Sequence, residues 1–217
     1  DMLGEAALTA ADAERYLAAY GAAIVAIGAA SGSRSIKDEP GISVKLSALH
    51  PRYELVQRSP VLDELGPRPR SLAVQARQAG IGLTIDAEEA DRLEISIDLL
   101  EMMLSDPALD GWAGFGIAVQ AYQKRSVAVI DWLVETARSR RRRLMVRPVK
   151  GAYWDSEITH AQELGLDGYP VFTRTVATEV SFPACARRLS RAGNVVSPRR
   201  APPHAPTPPP VPAPSHH

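Results

Sequence analysis

Residues 143–155 have the sequence Arg-Leu-Met-Val-Arg-Pro-Val-Lys-Gly-Ala-Tyr-Trp-Asp. The segment begins as a short apolar run, which is typical of a strand buried on both faces of a parallel sheet. It then changes at once to cations, a glycine, two aromatic residues and an acid. Parallel α/β barrels present their active-site residues at such a strand end. An ordinary strand-to-helix junction with solvated charges is the alternative for this segment taken alone.

Four other segments have the character of strands and alternate with helical patterns. They lie near residues 1–8, 42–47, 82–86 and 114–120, and the segment at 143–149 is the fifth. Repeated strand–helix units predict a parallel sheet with right-handed crossovers. A doubly wound sheet and a barrel both fit, although no glycine-rich phosphate loop follows any strand, which disfavours the nucleotide-binding wound sheet. Because a full barrel needs about 250 residues, we predict an α/β fold of the (β/α)₈ TIM-barrel type that is incomplete, with about five of its eight units.

The helical patterns between these strands carry start signals and apolar stripes. Thr9 and Asp12 predict a capping box with a short acid at the start of the first helix, and Asp86 and Glu89 predict another capping box. The stripe predicted to face the core in the helix after Asp86 consists of Leu93, Ile97, Leu100 and Leu104.

Composition restricts the class of protein. The 217 residues are 45% hydrophobic and 23% charged, which is typical of a globular chain. The 25 Lys and Arg equal the 25 Asp and Glu, and zero net charge argues against a nucleic-acid partner. A single cysteine, Cys185, excludes an internal disulfide framework and leaves no metal cluster in view. No apolar run has the length of a bilayer span and no signal peptide is evident, so we expect a cytoplasmic location.

The end of the chain differs from the rest in composition. Residues 195–217 contain nine of the 18 prolines. No core can form from such a segment, so we predict a partial barrel domain over residues 1–190 and a disordered or polyproline tail, rich in Pro and Arg, over residues 191–217. Recognition by an SH3-type domain is the alternative role for this tail.

Polar side chains stand at the ends of four successive predicted strands: Lys45, Asp86, Gln120 and Arg147. The C-terminal ends of barrel strands converge on one mouth, so we expect these side chains to occupy one layer of a shared site. Two cations, an acid and an amide suit an anionic small molecule beside a polarisable cofactor. Asp86 alternatively caps its helix. A Schiff base on Lys45 or Lys150, as in aldolase-type barrels, is the alternative chemistry.

Five motifs in order give the chain a resemblance to a known family. Over about residues 1–190 it resembles the proline dehydrogenase family, and most of all the domain of this type in bacterial bifunctional proline utilisation A flavoproteins. The resemblance implies a distorted (β/α)₈ barrel that holds FAD and oxidises L-proline to Δ1-pyrroline-5-carboxylate by hydride transfer from C5 to flavin N5. It also implies that electrons pass to a membrane quinone, and hence peripheral association with the inner membrane. The motifs are Asp1–Leu8, Val44–Glu54, Ile85–Glu94, Val119–Arg125 and Val149–Asp155.

The same resemblance implies a role for particular residues. Lys45 is implied to pair with the substrate carboxylate, and Asp86 to belong to the polar network beside substrate and cofactor. Arg147 is implied to lie near the N5 edge of the flavin, Gln120 to contact the flavin, and Tyr153 to pack against proline. The other residues implied to line the cofactor are Val149, Gly151, Ala152, Trp154 and Thr173.

The chain also departs from the family pattern. Pro148 stands inside the predicted fifth strand, where proline removes a ladder donor and can distort the loop that carries Arg147 and Tyr153. Beyond Leu189 the resemblance is expected to end, as a frameshift or a mispredicted gene end would produce, so we expect a truncated barrel with two exposed sheet edges. An inactive remnant that binds no flavin is therefore the alternative function.

Overall fold

The computed structural model describes residues 4–32, 35–36 and 40–198, and within them five parallel strands form one sheet. The strands pair in the order in which they occur in the chain, each parallel to the next. This order has no reversal, which distinguishes barrel topology from a doubly wound sheet. The predicted class, an incomplete barrel of the (β/α)₈ type, is therefore confirmed. The strands are β1 (Ile42–Val44), β2 (Leu83–Ile85), β3 (Phe115–Gln120), β4 (Leu144–Val149) and β5 (Val196–Pro198).

Seven α-helices are found within the described residues. Thr9 caps the first of them in a capping box with Asp12, as the sequence predicts. None of these helices combines the length and apolar character that a membrane span requires. The helices are α1 (Ala10–Ala30), α2 (Arg58–Leu65), α3 (Pro67–Gln78), α4 (Leu93–Leu104), α5 (Ser126–Ser139), α6 (Trp154–Glu163) and α7 (Thr175–Arg191).

The main core includes one set of alternate strand residues. Successive side chains of a strand point to opposite faces of the sheet, so the residues between the core positions point the other way. On β4 the core residues Leu144 and Val146 alternate with Met145 and Arg147. The polar side chain of Arg147, near the C-terminal end of β4, therefore lies on the face of the sheet opposite the core. The other strand residues of the core are Ile42, Val44, Leu83, Ile85, Phe115, Ile117, Val119 and Val196.

One strand prediction was wrong, and one strand was not predicted. Residues 4–8 form no strand; instead, the backbone N–H groups of Ala6 and Ala7 donate to the Ser47 side chain and carbonyl at 3.1 and 2.8 Å. Strand β5 was not predicted, because a signal of two valines before Ser197 is too short to stand out. This strand follows the predicted domain boundary at residue 190. The prediction of a disordered tail over residues 191–217 was therefore wrong for residues 191–198, since Val196 of β5 is buried in the core. The rest of that predicted tail, residues 199–217, lies outside the described residues.

Pro148 does not interrupt strand β4. The Ala121 N–H donates to the Val149 carbonyl at 2.8 Å, so Val149 directs its backbone polar groups toward β3. Pro148, one residue earlier, therefore directs its backbone to the opposite side. The described pairing with β5 ends at Val146 on that side, so the missing N–H removes no bond of the described ladder.

Candidate functional site

Lys45, Asp86 and Arg147 meet at the C-terminal end of the sheet. Lys45 and Asp86 directly follow β1 and β2, whose last paired residues are neighbours, and Arg147 lies within β4. The Lys45 ammonium is 3.6 Å from one oxygen of the Asp86 carboxylate, and Arg147 donates to the other oxygen. All three side chains are largely but not fully buried. The group therefore has one positive charge in excess and remains open to a small anion.

Gln120 lies closer to the mouth than these three residues. The β3 residue paired with Arg147 is Ala118, and Gln120 follows it by two positions, so the prediction that all four side chains share one layer was wrong. The Gln120 Nε2 donates to the Glu88 carbonyl at 2.8 Å, and its Oε1 accepts from the Ala152 N–H at 3.0 Å. Gln120 thus joins the segment after β2 to the loop after β4 through bonds to two backbone groups.

The alternative role of Asp86 as a helix cap is excluded. Helix α4 begins only at Leu93, after a 3₁₀ turn at Ala90–Arg92, and Glu89 at the start of that turn makes no capping bond through its side chain. Asp86 instead uses both carboxylate oxygens in the ion pairs described above. The predicted capping box at Asp86 and Glu89 was therefore wrong, because the strand end competes with the helix for this carboxylate.

Glu88 follows Asp86 by two positions, and its side chain is only 2% exposed. Its Oε1 accepts from the Ser47 N–H at 3.1 Å, and its Oε2 accepts from Arg92 at 3.2 Å. Burial raises the pKa of Glu88 above its usual value, and the bonds from Ser47 and Arg92 act in the opposite direction. Glu88 fixes the segment after Lys45 against the segment after Asp86.

The loop after β4 presents backbone to the mouth. Gly151 has a φ of +145°, and a Cβ atom there would lie 2.4 Å from the Tyr122 ring, so only glycine fits without a shift of the ring. Gly151 and Ala152 are both exposed. Val149 is the last residue of β4 and leads into this loop. The predicted cofactor-lining residues of this segment therefore lie together beside Arg147.

Tyr153, Trp154 and Thr173 extend the same side of the mouth. The Tyr153 hydroxyl donates to Glu5 at 2.6 Å, and burial, followed by this bond, raises the pKa of Tyr153. The Trp154 ring is anchored by a bond of 2.8 Å from its Nε1 to the Phe172 carbonyl. Thr173 is exposed and directly follows Phe172. These three residues thus lie on connected segments.

Lys150 does not join the group. Its ammonium pairs with Glu179 at 2.6 Å and its side chain is 58% exposed, whereas a Schiff-base lysine is usually desolvated. Lys45 is held in an ion pair with Asp86. The alternative aldolase chemistry thus lacks a suitable lysine at these two positions. Among the described residues, no cluster of His, Cys, Asp or Glu is arranged to hold a metal ion.

Sequence reasoning missed several residues that support the site. No role was assigned to Glu88, Glu5, Tyr122 or Glu157. Glu157 on α6 is buried, and its Oε1 accepts from the Ala90 N–H at 2.6 Å. Ala90 and Glu157 are 67 positions apart. The only sequence signal for such a partner is an acid in the first turn of a helix, which commonly has a purely local role.

Three comparisons with known proteins agree with this arrangement. The family model described as proline dehydrogenase matches residues 1–204, so the match continues past residue 190, where we expected the resemblance to end. The chain is 61% identical over 201 residues to the bifunctional protein PutA of Salmonella typhimurium, which covers 93% of the chain and 15% of that protein. It is 56% identical over 182 residues to PutA of Rhizobium meliloti, which covers 84% of the chain and 14% of that protein.

A solved structure of proline utilization A with proline bound in remote sites matches with a TM-score of 0.91 and 56% identity over 92% of this chain and 21% of that chain. Proline utilization A from Bdellovibrio bacteriovorus, inactivated by N-propargylglycine, matches with a TM-score of 0.84 at 24% identity over 91% of this chain and 22% of that chain, which supports the fold alone. The chain spans about 15% of the length of the curated relatives it matches. With a family model that matches residues 1–204 and these relatives, the chain belongs to the proline dehydrogenase family.

Proposed function

We propose that this chain carries the FAD-dependent site that oxidises L-proline to Δ1-pyrroline-5-carboxylate. The observation that carries the proposal is the pairing of Asp86 with both Lys45 and Arg147 at the C-terminal end of the parallel strands. This is the end where barrel enzymes bind their substrates. Family membership supports the same substrate, since the matched family is that of proline dehydrogenases.

The residues present fit a flavin. The Arg147 Nε is buried and has no hydrogen-bond partner among the described residues, so this guanidinium has an unused donor next to the mouth. Gly151 and Ala152 are exposed beside it, and Trp154 is 42% exposed. We propose that these four residues hold the cofactor together with Asp86, Gln120, Val149 and Thr173.

The side chains of the mouth have separate roles in this proposal. Lys45 binds the substrate carboxylate through a charge-assisted bond, and Asp86 keeps Lys45 and Arg147 oriented. Tyr153 packs against the pyrrolidine ring, and its raised pKa keeps its hydroxyl protonated. A bound flavin supplies the redox chemistry by accepting a hydride. With that cofactor in place, the hydride would come from proline C5 and the ring nitrogen would release its proton to solvent, which leaves a C=N bond between them.

We also propose where the electrons go. Reoxidation by a membrane quinone requires the protein to approach a bilayer, so we propose a cytoplasmic protein that associates peripherally with the inner membrane. Flavin reoxidation by a water-soluble quinone, followed in the presence and absence of vesicles, tests this step. Reoxidation that depends only on oxygen would exclude it.

A second candidate is a remnant that binds no flavin. The observation that favours it is the open sheet, because β1 and β5 each pair on one side only within the described residues. The four strand ends that carry Lys45, Asp86, Gln120 and Arg147 all lie in this open sheet. The described strands do not surround these side chains on all sides, as the strands of a closed barrel would.

Expression of the 217-residue chain separates the two candidates. We expect a yellow protein whose flavin absorbance bleaches when L-proline is added without oxygen. Replacement Arg147→Met is expected to abolish bleaching, whereas Arg138→Met, at an exposed arginine that pairs with Glu135 on α5, is expected to leave it intact. A folded but colourless protein, or a yellow protein that L-proline does not bleach, would exclude the proposed activity.

A further inference from the structure

Tyr122 lies directly beneath the loop that we propose to line the flavin. The residue is 2% exposed, and its ring is in contact with Gly151: a Cβ at that glycine would come within 2.4 Å of the ring carbon Cγ. Any residue larger than glycine at position 151 would force the Tyr122 ring or the loop to shift. The loop at Gly151 therefore packs directly on the Tyr122 ring.

The backbone of Tyr122 holds two segments that are far apart in sequence. Its N–H donates to the Lys150 carbonyl at 2.8 Å, which extends the pairing of β3 and β4 into the loop. Its carbonyl accepts from the Phe172 N–H at 2.8 Å, and the neighbouring Gln123 and Val171 form an antiparallel bridge. The Phe172 carbonyl in turn accepts from the Trp154 indole at 2.8 Å.

The hydroxyl of Tyr122 reaches a third segment. It donates to the Glu157 Oε1 at 3.4 Å, and the same oxygen accepts from the Ala90 N–H at 2.6 Å. Burial, followed by the nearby Glu157 charge, raises the pKa of Tyr122, so the phenol remains a donor at any physiological pH. The hydroxyl bond is long, which makes the ring and the backbone the stronger parts of the arrangement.

We propose that Tyr122 is a positioning residue for the flavin-binding segment. Its ring determines how far Gly151 lies from the strands beneath the loop, and its backbone bonds determine the distance between residues 150–154 and 172–173. This inference rests on the proposed flavin site. Tyr122 need not contact the flavin to act in this way, since it acts through Gly151 and Trp154. A displacement of about 1 Å in such a segment is enough to cause losses of about a hundredfold in rate.

The test uses the full chain with the variants Tyr122→Leu and Tyr122→Phe. Tyr53→Leu is the matched control, because Tyr53 is also buried, at 3% exposure, and its hydroxyl bonds to the Arg92 carbonyl rather than to the loop. Two quantities are measured: the FAD affinity, by quenching of flavin fluorescence, and the hydrogen exchange of the amides of residues 150–154 in flavin-free protein.

We expect Tyr122→Leu to weaken FAD binding by about tenfold or more and to accelerate exchange in residues 150–154. Tyr122→Phe keeps the ring and is expected to restore both quantities nearly to those of the unmodified chain. Tyr53→Leu is expected to lower the unfolding temperature while leaving both quantities unchanged. Equal loss of FAD affinity in Tyr122→Leu and Tyr53→Leu would overturn the inference, as would an unchanged exchange rate in Tyr122→Leu. If the unmodified chain binds no FAD, the proposed function fails, and the exchange measurement alone still decides the role of Tyr122.

Discussion

Gly151 is the residue whose identity is most tightly determined by its surroundings. Its φ of +145° lies outside the conformations that L-residues adopt readily, and a methyl group there would overlap the Tyr122 ring. Gly80 also has a positive φ, +71°, but nothing lies within 4 Å of the position of its Cβ. Gly80 therefore lies near the left-handed region that L-residues can enter at modest cost, whereas Gly151 combines a more strained φ with steric overlap.

We expect Gly151→Ala to lower the free energy of unfolding by about 3 kcal/mol, and Gly80→Ala to lower it by about 1 kcal/mol. The reason for the difference is that the first change has the greater backbone strain and also overlaps a buried ring. Urea denaturation of both variants measures this difference. Equal losses in the two variants would show that the Tyr122 ring and the backbone at residue 151 both relax to accept a side chain.

Glu88 gives the chain a pH dependence that follows from burial. Its pKa is raised on folding from the usual value of 4.5, mainly by desolvation, so the folded state binds this proton more tightly than the unfolded chain does. The free energy of unfolding therefore decreases as pH rises from about 4.5 through the raised pKa, and this contribution is constant at higher pH.

We predict that Glu88→Gln reduces this decrease, because glutamine has no proton to lose and can still accept from the Ser47 N–H. Urea denaturation at several pH values between about 4.5 and neutrality gives the two curves to compare. Glu135→Gln, at an acid whose side chain is 69% exposed, serves as the control and is expected to parallel the unmodified chain. Parallel curves for Glu88→Gln would contradict the prediction.

Helix α4 shows how a local pattern differs from the packing that the fold selects. The sequence predicts one stripe of apolar residues at helical spacing, and two members of it, Leu100 and Leu104, are buried as predicted. The other two, Leu93 and Ile97, are only partly buried, while Ile95 and Leu99 outside the stripe are buried. Apolar side chains surround much of this helix, so periodicity alone does not choose the buried face. Helix α2 packs against α4 and was not predicted, and such long-range partners decide which face is covered.

A matched pair of substitutions on α4 measures this difference. We expect Ile95→Ala to lower the free energy of unfolding by about 4 kcal/mol, because Ile95 is fully buried and leaves a cavity. Ile97→Ala is expected to cost about half as much, since part of the side chain is in water. Chemical denaturation under identical conditions gives both values, and a larger loss for Ile97→Ala would favour the stripe predicted from sequence.

At the scale of the whole molecule, the sequence predicts which polar side chains meet at the strand ends, but it does not predict the buried residues that hold the adjoining segments in place. Lys45, Asp86 and Arg147 meet as expected, because alternating strand–helix units bring strand ends to one edge of a sheet. Glu88 and Tyr122 were not predicted to support them. Their partners are distant in sequence: Ser47 and Glu88 are 41 positions apart, and Tyr122 and Glu157 are 35 apart. Pairings of this kind depend on how the segments that follow the strands pack together, and they leave no local periodicity in the chain.

The outer edge of β1 has consequences for the behaviour of the whole chain. The Ile42 N–H donates to the Gly82 carbonyl, and the Val44 carbonyl accepts from the Asp86 N–H, each at 2.9 Å, so these two residues direct their backbone toward β2. Ser43 between them directs its N–H to the open side. Within the described residues no strand pairs with that edge, and a net charge of zero gives little repulsion between copies.

We therefore expect the 217-residue chain to associate as its concentration rises, with β1 as one of the contacting edges. Ser43→Pro removes an edge donor without removing a bond to β2, so it is expected to weaken association, whereas Ser43→Ala keeps the donor and is expected to behave as the unmodified chain does. Sedimentation velocity over a series of concentrations measures the association, and thermal unfolding verifies that both variants remain folded. If the proline and alanine variants associate equally, the contact between copies does not involve this edge, and the exposed apolar residues of α7, Val176 and Val180, become the next surface to alter.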